Sequence, residues 1–318
     1  MRSQDNFFMQ QGFIHFPRHA CPLDMPAIEQ ALGRLCDRAR SENRGAPGIV
    51  SVFEANNPDL LCRIEYLAGS DAFFADVLVP QLKTLIERQI GQAVNLFKDK
   101  CNFKHPGGGG FTPHQDVVAY RPFGSDYQVT AAVMLDAANE TNGALEMAHI
   151  WGCGNNEGEW VTTPRGKQPL LPRYQGGTRN GDISDRLSQT MQWRRIDTAP
   201  GDVVLFDSYI PHRSRPNSSQ STRRILFFTF NLASEGDFYH QYYQRKWAAP
   251  DDPLFHVSTP TLHRASHETD STVPPPVIVE ATLCVLCVYL PPARSTRPNA
   301  CARQQAEIWA RGALWRRR

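Results

Sequence analysis

The chain has 318 residues, 41% hydrophobic and 21% charged, enough to bury a full core in one large domain or two small ones. Its formal net charge of +2 is uneven: residues 291–318 carry seven arginines against Glu307, net +6, which leaves residues 1–290 at −4. A mildly acidic body excludes a general nucleic-acid binder, and the longest apolar run, residues 277–290, is too short to span a bilayer and contains Glu280.

The first residues show no apolar leader with a cleavage motif, and the eight cysteines are widely spread. Both features point to a cytoplasmic protein with reduced thiols, in which the lone Cys284/Cys287 pair is core packing. The stretch "LDMPAIEQALGRLCDRARSE" offers Asp24 as an N-cap and Pro26 in the first turn, with Ile28, Leu32, Leu35 and Ala39 on one helical face. A second helix, capped by Ser70, carries Leu78, Leu82, Leu85, Ile86 and Ile90. Pro80 should kink it or mark its true start, and Gly91 should end it in a left-handed cap. Residues 1–91 are therefore expected to be helical.

After Gly91 the period changes to two. In "AVNLFKDKCNFK", Lys98, Lys100, Asn102 and Lys104 share one face. Short segments follow at "HQDVVAY", "YQVTAAVMLD", "GALEMAHI", "TMQWRRIDT", "GDVVLFDSYIPH" and "RRILFFTFNL", separated by Gly, Pro, Asn and Asp turns. This is the pattern of a β sandwich or barrel over residues 92–250, buttressed by the preceding helices. A long polar insertion at about 151–188 reads as a lid or substrate-binding element. Residues 251–318 mix proline clusters, an isolated apolar run and a basic end, and read as a divergent extension of unknown role.

"KHPGGGGFTPHQD", residues 104–116, places four glycines ahead of a His-x-Asp pair. The glycines lead into a strand with no following Lys-Ser/Thr, so a nucleotide cradle is not expected and a turn is. On a strand His114 and Asp116 would point the same way. His212, at the end of the apolar strand "DVVLF", can join them if the sheet rolls up. Two imidazoles and a carboxylate on one side of a metal leave its other positions open, the arrangement of non-heme Fe(II) oxygenases; zinc would accept the same set. Eleven residues on, Arg223 enters an apolar strand, where a guanidinium suits a carboxylate gripped by two parallel hydrogen bonds, and Arg224 must face the other way.

With "HQD" at 114–116, "NGALEM" at 142–147, "GDVVLFDSYIPHRS" at 201–214 and "RR" at 223–224, the chain resembles the phytanoyl-CoA dioxygenase family over roughly residues 90–245. The resemblance implies a mainly β, double-stranded β-helix (jelly-roll) core with N-terminal buttressing helices. It implies iron ligands at His114, Asp116 and His212, and Arg223 on the distal carboxylate of 2-oxoglutarate. Ser214 is implied as a hydroxyl partner of that carboxylate, and Lys100 and Asn102 as further cosubstrate contacts. The implied reaction couples oxidative decarboxylation of 2-oxoglutarate by O2, aided in vitro by ascorbate, to hydroxylation or another oxidation of a C–H bond. Asp116 occupies the position that related halogenases replace with a small residue, so halogenation is not implied. The look is closest to members acting on small polar molecules, such as aminoalkylphosphonate, ectoine-type and natural-product hydroxylases. The expected partner is a small-molecule substrate, with no nucleic acid or membrane and with homodimerisation left open. A non-catalytic jelly-roll binding module and a zinc hydrolase using the same three ligands are the alternatives; indifference to 2-oxoglutarate would mark the latter.

Overall fold

The structure, a computed structural model, describes residues 7–41, 48–54, 57–150 and 159–250, together with 252 and 255. The helices are α1 (Phe7–Gln11), α2 (Met25–Ser41), α3 (Val79–Ile90), α4 (Val117–Tyr120), α5 (Asp185–Ser188) and α6 (Tyr239–Ala248). The strands are β1 (Phe13–Phe16), β2 (Val50–Glu54), β3 (Asn57–Glu65), β4 (Val94–Lys104), β5 (Phe111–His114), β6 (Gln128–Met134) and β7 (Leu145–Ile150). They continue as β8 (Trp160–Thr163), β9 (Gly166–Pro169), β10 (Gln192–Arg195), β11 (Val203–Asp207), β12 (His212–Ser214) and β13 (Arg223–Leu232).

Seven strands form an antiparallel sheet in the order β1-β11-β6-β13-β4-β3-β2, four form a second in the order β10-β7-β12-β5, and β8-β9 is a separate hairpin. The period of two decides what each face meets. On the major sheet Val129, Ala131, Val133, Leu205, Leu226, Phe228 and Phe230 pack against the apolar stripes of α2 and α3. The alternate residues Ala132, Met134, Val204, Phe206 and Ile225 turn inward and meet Leu145 and Met147 of the minor sheet. All seven residues of β6 are buried, as expected of a central strand covered on both faces. The architecture is the expected jelly roll, with helices behind the larger sheet.

Asp24 caps α2 through the amide of Ala27 (3.1 Å), and Ile28, Leu32, Leu35 and Ala39 are buried. Gly91 ends α3 in the left-handed region at φ 69°. Pro80 has no N–H to return to the preceding turn, and a five-residue π-helical segment, Phe74–Leu78, runs immediately into α3. The cap before that segment is Asp71, whose carboxylate accepts the Phe73 amide at 3.0 Å, rather than Ser70.

The helical expectation for residues 1–91 is corrected by three strands. β1 extends the major sheet beside β11, while β3 pairs with β4 and β2 with β3. β1 has only four residues, and β3 turns Arg63 and Glu65 inward beside β4, so neither carries an apolar alternation. "HQDVVAY" is likewise not a strand: β5 stops at His114 and α4 begins at Val117. The expected extension at 251–318 lies outside the described residues apart from 252 and 255. Among the described residues no helix is long and apolar enough to cross a membrane.

One polar node holds α6 against β4. Asp99, fully buried, accepts the amides of Leu67 (2.7 Å) and Ala68 (2.9 Å) and the hydroxyl of Tyr239 (3.0 Å). Tyr243 donates its hydroxyl to the Asp99 carbonyl at 2.7 Å and accepts the Tyr66 amide at 3.2 Å. Tyr66, at φ 69°, is held in this strained conformation between the rings of Tyr239, Tyr243 and Trp247. Asp99→Ala would strand several buried donors at once. We expect it to lower unfolding free energy by about 3 kcal/mol or more, read as a lower urea midpoint at unchanged m value.

Candidate metal centre

His114, Asp116 and His212 meet at one point. One ligand atom from each lies within 4.8 Å of the others, and Asp116 Oδ1 stands 3.7 Å from His114 Nε2 and 3.8 Å from His212 Nε2. The meeting follows from register. β12 lies between β5 and β7, with His212 opposite His114 on one side and Met147 on the other. Asp116 is not brought in by strand alternation, as the sequence suggested. It stands at the N-cap of α4 (φ −66°, ψ −31°), so a turn swings its carboxylate toward the imidazoles.

The donor set fits a metal. His114 Nδ1 lies 2.7 Å from the Thr112 carbonyl and His212 Nδ1 3.0 Å from the Ile210 carbonyl. A carbonyl only accepts, so each Nδ1 carries the proton and each Nε2 presents its lone pair to the shared point. Burial, reinforced by the neighbouring His212, lowers His114 to about 3, which keeps it neutral and ready to ligate. Burial opposes ionisation of Asp116, but His212, His114, Lys98 and Lys100 outweigh it and hold the carboxyl below its ordinary value.

Surrounding residues fix the ligands. Gln115, between the two β5-side ligands, donates to the carbonyls of Pro169 (3.0 Å) and Tyr209 (2.7 Å) and accepts the Leu171 amide (2.9 Å). Asp207 accepts the amides of Tyr209 and Ile210 and an ion pair from Arg165 in the β8-β9 hairpin, which sets the turn into His212. The insertion packs beside the ligand strand: Ile183 donates to the Pro113 carbonyl at 2.7 Å, and Thr112 donates to Asp182. Glu146 accepts from Arg213 (2.7 Å) and Arg215 (2.8 Å), and Trp160 on β8 is exposed and outside the cavity lining.

A cavity opens over the three ligands, between the two sheets. Lys98, Lys100 and Asn102 of β4, Ser214 of β12 and Arg223 of β13 all line it, so the structure gathers every residue singled out in the sequence. Arg223 is 2% exposed; one terminal nitrogen donates to the Gly143 carbonyl at 2.6 Å, and its Nε has no partner among the described residues. Burial lowers this guanidinium to about 10, so it stays charged at neutral pH. The Asn102 carbonyl oxygen is also buried without a partner. Arg224 faces away, as expected, and pairs with Asp136 and Glu29.

Lys104 is the residue the sequence reading passed over, although it shares the face of Lys100 and Asn102. It lies opposite Arg223 in the β13-β4 register. Its ammonium donates to Ser214 Oγ at 2.8 Å and to the Arg215 carbonyl at 2.7 Å. Burial and the adjacent Arg223 charge lower it to about 6, since no carboxylate offsets them. A lysine, an arginine and a hydroxyl thus converge on one desolvated spot that can hold a carboxylate. Two glycines make the approach close enough. A Cβ on Gly110 would lie 2.6 Å from the Ser214 carbonyl, and one on Gly143 would lie 3.0 Å from Lys104 Nζ. The glycine run is therefore the β4-β5 turn; Gly107 sits at φ 76° and exchanges backbone hydrogen bonds with Asn217 through itself and Gly108.

The profile of the family described as phytanoyl-CoA dioxygenase (PhyH) matches residues 8–225. The chain is 37% identical over 256 residues to a 2-aminoethylphosphonate dioxygenase from an uncultured bacterium, covering 77% of this chain and 87% of that one. It is 35% identical over 185 residues to a methylphosphonate hydroxylase from Gimesia maris, covering 58% and 64%. In fold it is similar to EctD from S. alaskensis, whose crystal structure holds 2-oxoglutarate and 5-hydroxyectoine, with TM-score 0.57 at 17% identity over 74% of this chain and 77% of that one. With its His/Asp/His centre inside the matched span, the chain belongs to the phytanoyl-CoA dioxygenase family and is a 2-oxoglutarate-dependent non-heme iron dioxygenase.

Proposed function

We propose that this enzyme hydroxylates an unactivated C–H bond of a small polar metabolite, an organophosphonate, with 2-oxoglutarate and O2 as cosubstrates. The observation that carries the oxygenase half is an open His114/Asp116/His212 face sharing one cavity with the buried Arg223, beside which Lys104 is paired on β4. The substrate half is supported by the two relatives named for phosphonates and by the excess of cations lining the cavity.

Each residue has a defined task. His114, Asp116 and His212 would hold the iron on one side and leave the side facing the cavity open. The bound iron, with 2-oxoglutarate and O2, supplies the oxidising chemistry and yields succinate and CO2. Arg223 would grip the far carboxylate of 2-oxoglutarate, with Lys104 as second cation and Ser214 Oγ and Asn102 as neutral partners. Lys100, two residues from Asn102 on the same face, stands nearer the metal: its charge acts on both His114 and Asp116. Phe111, Phe206 and Phe227 line the cavity and exclude water from the reacting C–H bond.

Purified chain with Fe(II), 2-oxoglutarate and ascorbate should form succinate in proportion to hydroxylated product when given methylphosphonate or 2-aminoethylphosphonate. His114→Ala should abolish this while leaving the circular dichroism spectrum intact. Absence of succinate across a phosphonate, amino-acid and ectoine panel, with iron bound, would sink the reading. Lys104→Met should weaken 2-oxoglutarate about 10- to 100-fold by losing one charge-assisted contact. Lys104 must be protonated to make that contact, so wild-type affinity should fall as pH rises above about 6. Calorimetry over about pH 6 to 8 (roughly two logarithmic units upward from the lowered value) should show this slope, and Lys104→Met should lack it. Gly110→Ala should raise KM for 2-oxoglutarate more than it changes kcat, because its methyl displaces the Ser214 backbone.

A further inference from the structure

The cavity carries a second group of cations, set along β4 away from the position opposite Arg223. Lys98 and Lys100 are two residues apart on the inner face of β4, about 7 Å between Cα atoms. Arg63 reaches the same cavity from β3, beside them in the sheet. Lys98 Nζ makes no hydrogen bond or ion pair among the described residues; it rests 4.6 Å from the Tyr120 ring centroid and 5.7 Å from that of Tyr242. Lys100 Nζ lies 5.4 Å from the Phe227 centroid and likewise has no hydrogen-bond acceptor.

The available acids are already engaged. Glu65 binds Lys246 through both oxygens at 2.7 Å and Arg63 Nε at 2.9 Å. Asp116, the one acid lining the cavity among the described residues, belongs to the candidate metal-ligating set. Three cations and Lys246 therefore face one carboxylate, Glu65, and a bound divalent metal would add to the excess. Burial followed by repulsion from Lys98 and Arg63 lowers Lys100 to about 7.

One cosubstrate cannot satisfy both ends. In the β13-β4 register Arg223 is opposite Lys104 and Thr229 is opposite Lys98. Those positions are six residues apart, about 20 Å along the strand. A five-carbon dicarboxylate is about 8 Å long at ordinary bond lengths, too short for a molecule anchored at Arg223 to span that separation. The charges of Lys98 and Lys100 act on Asp116, and the register sets them apart from Lys104 and Arg223 along the strand.

We propose that Lys98 and Arg63, with Lys100 on their metal-facing edge, form a second anion site that seats the substrate's headgroup, a compact tetrahedral dianion such as a phosphonate. The enzyme then holds two anions at once, at separate positions along β4. This deepens the organophosphonate reading and rests on it. A tetrahedral dianion presents three oxygens to three cations, whereas a carboxylate presents two oxygens and one charge. Thr130 and Thr229, whose hydroxyls are 2.9 Å apart on the cavity floor, supply neutral groups at the same end, and Tyr242 and Phe255 line it from above.

The test is anaerobic calorimetry on the full chain loaded with Fe(II), titrating methylphosphonate with and without saturating 2-oxoglutarate. Methylphosphonate should bind in the presence of 2-oxoglutarate. Lys98→Met should weaken it about 10-fold or more while shifting 2-oxoglutarate by less than about 3-fold, and Arg223→Met should do the reverse. Lys98→Arg, which keeps the charge, should recover methylphosphonate affinity to within about 3-fold of wild type. The proposal is overturned if saturating 2-oxoglutarate abolishes methylphosphonate binding, if Lys98→Met weakens both ligands equally, or if acetate binds the 2-oxoglutarate-loaded enzyme as tightly as methylphosphonate. None of these readings needs turnover. Failure to form succinate therefore counts against the proposed reaction, while the titrations judge the anion site separately.

Discussion

A polar stripe on the inner face of β4 governs this structure. Lys98, Lys100, Asn102 and Lys104 point between two sheets whose neighbouring positions are filled by Ile225, Phe206 and Leu145. Packed against apolar side chains, four such groups would each cost several kcal/mol of unmet desolvation. The jelly roll accommodates them by not closing there: the sheets meet tightly around Ala132, Met134 and Met147 and part over the metal ligands. The cavity is the form in which this strand can be buried.

The helical side of the major sheet answers a different demand. Its alternate residues are mostly apolar and are buried by α2 and α3, with Arg224 paired to Glu29 of α2. Asp99 faces outward between Lys98 and Lys100 and is matched by two amides and two tyrosine hydroxyls. That node fixes α6, and α6 delivers Tyr242 to the rim of the cavity. Stability on one face of β4 and recognition on the other are consequently linked through a single strand.

Much of this was legible from residue order. The stripes of α2 and α3, the caps at Asp24 and Gly91 and the strand at Arg223–Leu232 follow from periodicity and local chemistry, which act within a few residues. The metal ligands and Arg223 were legible because their spacing is tied to strand register. The strands β1, β2 and β3 were not, because they are short or carry inward charge, and their pairing partners lie far along the chain. Asp116 was found for the wrong local reason: its place depends on a turn into α4, not on alternation. Lys104 shared a recognisable face with its neighbours, but only the strand pairing places it opposite Arg223. Ser70 lost the capping role to Asp71 one residue later, within the ordinary uncertainty of helix ends.

The tie made by Gln115 bears on how the protein is assembled. Its amide joins a residue 94 positions away, the Tyr209 carbonyl, to the β9 end of the insertion, directly beside His114 and Asp116. No stretch of the nascent chain contains a complete centre; β5, the hairpin and β12 must all have docked before three ligand atoms face one point. Loops of this length are slow to close, and native contacts between distant segments form late. A metal held there would clasp β5 to β12, and an incompletely folded chain would offer it no finished seat.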